Sequence, residues 1–195
     1  MARLLILFVG LRFLKFNTSP YISQFQAIAI SVKTTGAQVP RCPPNEMTGA
    51  ARRAFLNTHN RFRSRLAKGR ESNGNLGFAP QAANMQKMEY DCFAENSALV
   101  HARTCSGKLS DPATRLGLKE NFVEINKIHL NLVQTARHAS TRWWNEMSLY
   151  GVNPTMSFTA EMRRATTGIV RHFGKMSSVT TEMGTVCSSL GLFEC

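Results

Sequence analysis

Trp143 and Trp144 are the only tryptophans in the chain, and a carboxylate, Glu146, follows two residues later. On a helix, Trp143, Glu146, Met147 and Tyr150 share one face, spaced by three and four residues. That places an ionisable group among bulky apolar side chains, where an unpaired charge is costly to desolvate. Glu146 therefore needs a partner or a route to water. A hydrolase reading makes His172 the base and Glu146 its orienter, with Ser110 or Ser177 as a nucleophile, but nothing in the sequence holds either serine in reach. No His-Glu-x-x-His helix, phosphate-cradling glycine loop or dinucleotide fingerprint occurs. His59 and His101 lie on apolar stripes and read as hydrogen-bonded core histidines, while His129 and His138 carry no motif.

The elements that would position Glu146 can be read in order. Residues 34–47 hold three prolines and read as a linker. Thr48 then caps a helix in which Phe55, His59, Phe62 and Leu66 recur at helical spacing, ending near Gly69. After a Gly/Asn-rich loop at 71–78, a second helix is expected over about 83–105, with Ala94, Ala98, His101 and Cys105 on one stripe. Residues 106–119 read as loop. A third helix is expected over 129–150, stopped by Gly151 and Pro154. Segments 168–173, 184–187 and 190–195 read as short strands. Helices first and strands late imply an α+β layered domain.

Composition bounds the partners. Of 195 residues, 43% are hydrophobic and 18% charged, an ordinary globular balance. The formal charge is +12, and residues 1–40 carry four of the 24 basic residues and none of the 12 acidic ones. The remainder still has a basic surplus, which favours anionic surfaces such as glycosaminoglycans or acidic lipid heads. Nucleic acid is disfavoured, because the densest basic groups (Arg52/Arg53, Arg61/Arg63/Arg65, Arg163/Arg164) lack interleaved aromatics.

Five widely spaced cysteines, Cys42, Cys92, Cys105, Cys187 and Cys195, contain no C-x-x-C pair. They suit two disulfides and a spare thiol in an oxidising compartment, or else five thiols in a reducing one. Met1-Ala-Arg3 followed by Leu4–Leu11 resembles the start of a secretory leader and is too short to span a bilayer. Residues 1–40 are accordingly expected to be leader and linker, with a secreted domain over 45–195.

Several segments resemble one family. Phe55-Leu-Asn-Thr-His-Asn-Arg-Phe-Arg63 with Leu66-Ala-Lys-Gly69 is similar to the first helix of CAP-superfamily proteins, which include cysteine-rich secretory, antigen 5 and pathogenesis-related proteins. Ala82–Cys92, Glu120-Asn121, Ala139–Val152 and Gly168–Phe173 look like the nematode branch, the venom-allergen-like or activation-associated secreted proteins. The resemblance spans about residues 45–187. It implies an α-β-α sandwich with disulfides and a central cleft, in which two histidines and two glutamates commonly hold a divalent cation such as Zn²⁺.

Carried over position by position, Glu120 matches the glutamate of the Gly-Glu-Asn motif and Glu146 the one after the paired aromatics. His172 matches the histidine of Gly-His-Tyr-Thr-Gln. The fourth ligand, the histidine of a His-Ser pair, is Leu109 here, and His101 lies two turns upstream of it. Lys119 replaces the motif's glycine, Gly174-Lys175 replaces Thr-Gln, Ser178 replaces a tryptophan, and 155–167 is longer than usual.

The resemblance thus leaves two readings of the site. Glu120, Glu146 and His172 form either a three-ligand cation site with water, or a degenerate cleft in which Lys119 or Lys175 pairs with the carboxylates. The expected function is a secreted, non-enzymatic protein that binds a host protein or small ligand through its cleft and basic surface. A sterol or lipid carrier and a metal-dependent hydrolase are the alternatives.

Overall fold

Thr48 has the extended backbone of an N-cap, and its hydroxyl accepts the Ala51 amide at 3.1 Å. From it runs α1, Gly49–Ala67, which buries Phe55, His59, Phe62 and Leu66 as the spacing predicts. The computed structural model describes residues 39, 41–115, 117–125 and 129–178, with the backbone of 4–5 and 183–185. The rest of the expected leader, the segment 190–195, Cys187 and Cys195 lie outside the described residues. Gly69, at φ +62°, ends the helix. A Cβ there would stand 3.2 Å from the Ala79 carbonyl oxygen.

The helices that follow are shorter than their patterns suggest. α2 is Cys92–Ala102 and not 83–105. Residues before it are held out of a helix by side chains of α1. The Asn60 amide donates to the Met88 carbonyl at 3.0 Å and accepts the Met88 N–H at 2.8 Å, while Arg63 donates to the Gln86 carbonyl. With those backbone groups taken, Asp91 becomes the cap, accepting the Phe93 and Ala94 amides. The third expected helix divides in two. α3, Leu132–Trp144, opens on a capping box between Asn131 and Gln134. The chain turns at Asn145 and resumes as α4, Glu146–Tyr150. That break carries Tyr150 off the buried stripe, leaving it 56% exposed while Trp143 and Met147 are buried.

Two further helices complete the described part, α5 (Ala160–Arg164) and α6 (Arg171–Ser177). The strand expected over 168–173 is therefore not formed: its second half is the first turn of α6. Strands are short. β1 (Leu4–Leu5) pairs antiparallel with β3 (Glu124–Ile125). β2 (Leu118–Glu120) pairs parallel with β4 (Met183–Thr185), within which falls the start of the strand expected at 184–187.

The core sits where α1, α3 and α6 meet. The Phe62 and Trp144 rings stack at 5.1 Å, and Phe173 meets Trp144 edge-on at 5.0 Å. A second buried group is polar. Arg52 donates to both oxygens of Glu95, whose carboxylate also accepts from Asn45 and Tyr90. Burial raises the Glu95 pKa, but these donors outweigh it and the net shift is downward. Cys42 and Cys92 form a disulfide across 50 residues, and Cys105 is also disulfide-bonded. Closing a loop of that length stabilises by about 4 kcal/mol in the chain-entropy account.

Two outcomes follow for stability. Trp144→Ala is expected to lower unfolding free energy by about 3–5 kcal/mol in urea titration, whereas Tyr150→Ala stays within about 0.5 kcal/mol. His59 is fully buried with Nδ1 on the Phe55 carbonyl, and burial lowers its pKa from 6.5 to about 3. A base depressed in the folded state keeps its contribution above pH 6.5 and loses it as pH falls toward 3. The urea midpoint should therefore fall between pH 7 and pH 5, and His59→Gln should flatten that fall. A midpoint independent of pH there would contradict a buried neutral imidazole.

Candidate functional site

The break at Asn145 puts Glu146 at the head of α4, aimed at the start of α6. There its carboxylate is used three times. Oε2 accepts the backbone N–H of His172 at 3.0 Å and of Phe173 at 3.1 Å, and Oε1 bonds His172 Nδ1. No residue of α6 caps its own helix, so a distant carboxylate satisfies two of the amides that any helix start leaves open. The negative charge also lies at the favourable end of the helix dipole. Glu146 has found the partner that its sequence context demanded, and His172 is that partner, its ring beside Trp143 at 6.3 Å.

Glu120 ends β2 and is almost completely buried. Oε2 accepts from the Ser110 amide at 2.8 Å and the Ser110 hydroxyl at 2.7 Å, with Arg115 Nε at 3.3 Å. Arg115 was not legible as a site residue. Its signal is Asp111-Pro112, which starts a short 3₁₀ turn and folds Arg115 back so that Nε also reaches the Ser110 hydroxyl at 2.8 Å. His101 approaches Glu120 as well, with Nε2 3.8 Å from Oε1 and 2.8 Å from the Lys108 carbonyl oxygen. The expected hydrogen-bonded core histidine keeps its hydrogen bond, but His101 is only half-buried and lies beside the Glu120 carboxylate. Leu109, in the position of the missing ligand, is 50% exposed.

The two carboxylates belong to separate clusters joined through α6. Asn121 Nδ2 donates to the His172 carbonyl at 3.1 Å, and Lys175 Nζ donates to the Glu120 carbonyl at 2.7 Å. The cation on the Glu120 carboxylate is Arg115, so Lys175 binds this residue through its main chain rather than its side chain. Burial, then the neighbouring Arg171, lowers the Lys175 pKa to about 8.

A divalent cation needs several carboxylate or imidazole atoms converging with free lone pairs. Here both Glu146 oxygens and one Glu120 oxygen are occupied by protein donors, and two cationic side chains stand close. Among the described residues, no group of three His, Cys, Asp or Glu is placed to hold a metal ion. The donor set as arranged does not fit one. Neither candidate serine is poised as a nucleophile. Ser110 is pinned between Glu120 and Arg115, and the Ser177 hydroxyl donates to the Gly174 carbonyl. Glu146 and His172 instead line a cavity of about 520 Å³ with Trp143 and Tyr150.

Comparison with known proteins places this geometry. The family model for cysteine-rich secretory proteins (CAP) matches residues 56–191. The chain is 37% identical over 153 residues to the Ancylostoma secreted protein of Ancylostoma caninum, covering 76% of this chain and 36% of that protein. It is 38% identical over 60 residues to venom allergen 5 of Vespula vidua, covering 31% and 29%. The chain thus spans about a third of the length of these curated relatives. Among solved structures it resembles Na-ASP-1, with TM-score 0.66 and 37% identity over 73% of this chain and 37% of that one. It also resembles NaASP2, solved with Zn²⁺, with TM-score 0.66 and 32% identity over 74% and 80%. No helix among the described residues is long and apolar enough to cross a membrane.

Removing the Glu146 carboxylate leaves two helix-start amides and an imidazole without their acceptor. Glu146→Ala is expected to cost about 1–3 kcal/mol and to speed hydrogen exchange at the amides of α6 while sparing α1. Exchange mass spectrometry checks this, and unchanged protection of 171–177 would contradict it.

Proposed function

The chain belongs to the CAP family of cysteine-rich secretory proteins, and from that premise we propose a secreted, non-enzymatic binding domain whose cleft works without a bound cation. The observation that carries this reading is the threefold engagement of the Glu146 carboxylate. Oε2 already serves the His172 and Phe173 amides of α6 and Oε1 the His172 ring, so a metal would compete with the helix start at Oε2 and with the imidazole at Oε1. Glu120 is engaged in the same way by Ser110 and Arg115. What the family position offers as ligands, this chain spends on holding α6 in place.

Secretion is supported by the leader-like start, the Cys42–Cys92 disulfide and the secreted and venom relatives. The basic surplus favours partners that present negative charge, whether a host protein, glycosaminoglycans or another anionic surface. A non-catalytic role is supported by the pinned serines, neither of which bonds His172. A second reading, a carrier of lipid or sterol, is favoured by the cavity that Leu66, Val152, Met156, Phe158 and Phe173 line beside α6.

Calorimetric titration with zinc at pH 7 tests the proposal. No saturable binding is expected at micromolar metal. Micromolar binding abolished by Glu146→Ala would overturn the metal-free reading and restore Glu120, Glu146 and His172 as ligands. Turnover of peptide or ester substrates that His172→Ala removes would overturn the non-enzymatic one.

A further inference from the structure

Two pairs of adjacent Lys or Arg residues occur in the chain, and they sit in opposite surroundings. Arg52-Arg53 lies inside α1, where the Arg52 side chain is buried and forked onto Glu95. A protease reads its substrate in an extended form, so it would have to open α1 to reach that pair. Arg163-Arg164 ends α5, a helix of five residues that buries none of them and touches the core through half-buried Met162. Both arginines are exposed, as are Thr166, Thr167 and Gly168 after them.

The backbone around the Arg164–Ala165 bond is already leaving the helix. Ala165 is extended, at φ −52° and ψ 131°, and Gly168 turns the chain at φ +57°. Among the described residues, Thr166 and Thr167 make no hydrogen bond, and Arg164 makes no ion pair. The Ala165 carbonyl accepts from the Arg171 guanidinium at 3.3 Å. The Arg163 guanidinium lies over the Phe158 ring at 5.8 Å, a contact weaker than the ion pair a protease carboxylate offers.

Anchors stand on both sides of this stretch. Upstream, Asn153 bonds the Ser157 carbonyl and amide, and Met156 and Phe158 pack on the core. Downstream, Glu146 fixes the start of α6. A break between them frees α5 and leaves both flanks in place. Exposed basic residues elsewhere lack this combination. Lys87 stands between Gln86, whose carbonyl Arg63 takes, and Met88, which Asn60 pins. Arg103 is ion-paired with Glu46.

We propose that the Arg164–Ala165 bond is a processing site for a serine endoprotease that reads paired basic residues. Such an enzyme presents a carboxylate to each of the last two side chains before the cut, and Arg163 and Arg164 supply both cations. The step is a hydrolysis. The serine hydroxyl attacks the Arg164 carbonyl carbon and the C–N bond to Ala165 breaks, its nitrogen taking the serine's proton. Water then releases the acyl group, leaving an Arg164 carboxylate and an Ala165 amine. The cut falls in the segment 155–167, which is longer in this chain than the family motifs lead one to expect. It releases Arg163 from Phe158 and so uncovers one wall of the cavity beside α6. The proposal goes beyond the binding role and rests on the secreted reading only for where the chain meets the enzyme.

Timed digestion of the folded full chain with kexin, read by intact mass and N-terminal sequencing, provides the test. The first cut is expected after Arg164, giving the new N-terminus Ala-Thr-Thr-Gly at least about tenfold faster than any other. Arg164→Gln should abolish it, and Arg163→Gln should slow it about tenfold. Arg53→Gln, which breaks the other pair at an exposed position on α1, should leave it unchanged. A first cut elsewhere, an unaltered rate in Arg163→Gln, or no cut until the chain is unfolded in urea would each overturn the proposal. Retention of the chain inside an expressing cell would sink the secreted reading and leave the digestion as it is.

Discussion

The Glu146 carboxylate is the constraint on which the rest of this molecule's chemistry depends. By accepting two amides at the start of α6 and the His172 imidazole, it fixes where that helix begins and which way it faces. From that start, Phe173 points inward onto Trp144 and Lys175 reaches back to the Glu120 carbonyl. The neighbouring Asn121 fastens the His172 carbonyl from the other side. One side chain thus links the aromatic core, the end of β2 and both cavities.

This arrangement explains how a chain can keep three of four expected ligand positions and have a different use for them. A buried carboxylate must be compensated, and a metal ion is one way to do it. Here the compensation is internal. Ser110 and Arg115 serve Glu120, while amides and an imidazole serve Glu146. Leu109, in the position of the fourth ligand, is half exposed and offers no donor or acceptor to this scheme. Cationic and neutral protein donors instead occupy the lone pairs that a cation would need.

Much of this was legible in the sequence where a signal is local. The Thr48 cap, the α1 stripe and the buried Trp143 follow from spacing and cap chemistry alone, and the CAP-like layering from ordered motifs. The failures share one physical cause, which is that distant side chains decide the backbone. Residues 83–91 have helix-forming composition, but Asn60 and Arg63 of α1 claim their carbonyls and an amide. Residues 168–173 read as strand, but Glu146, more than twenty residues away, captures the His172 and Phe173 amides for a helix. His101 lies out of register with the lost ligand, yet Gly107 and Cys105, both at positive φ, turn the chain so that it meets Glu120. No window of sequence contains those partners together.

The two faces of α6 therefore carry different chemistry. One carries Glu146 and His172 on the wall of the first cavity, and the other faces a cation-rich, apolar cavity lined in part by Lys119, Gly174, Lys175 and Ser178, where this chain departs from its family motifs. The central claim, that Glu146 holds α6 instead of a metal, is tested most directly by anomalous diffraction at the zinc edge from crystals grown with zinc. The account predicts no zinc peak at Glu120, Glu146 or His172, with the Glu146 carboxylate still on the His172 and Phe173 amides. A zinc peak ligated by Glu146 and His172 would contradict it.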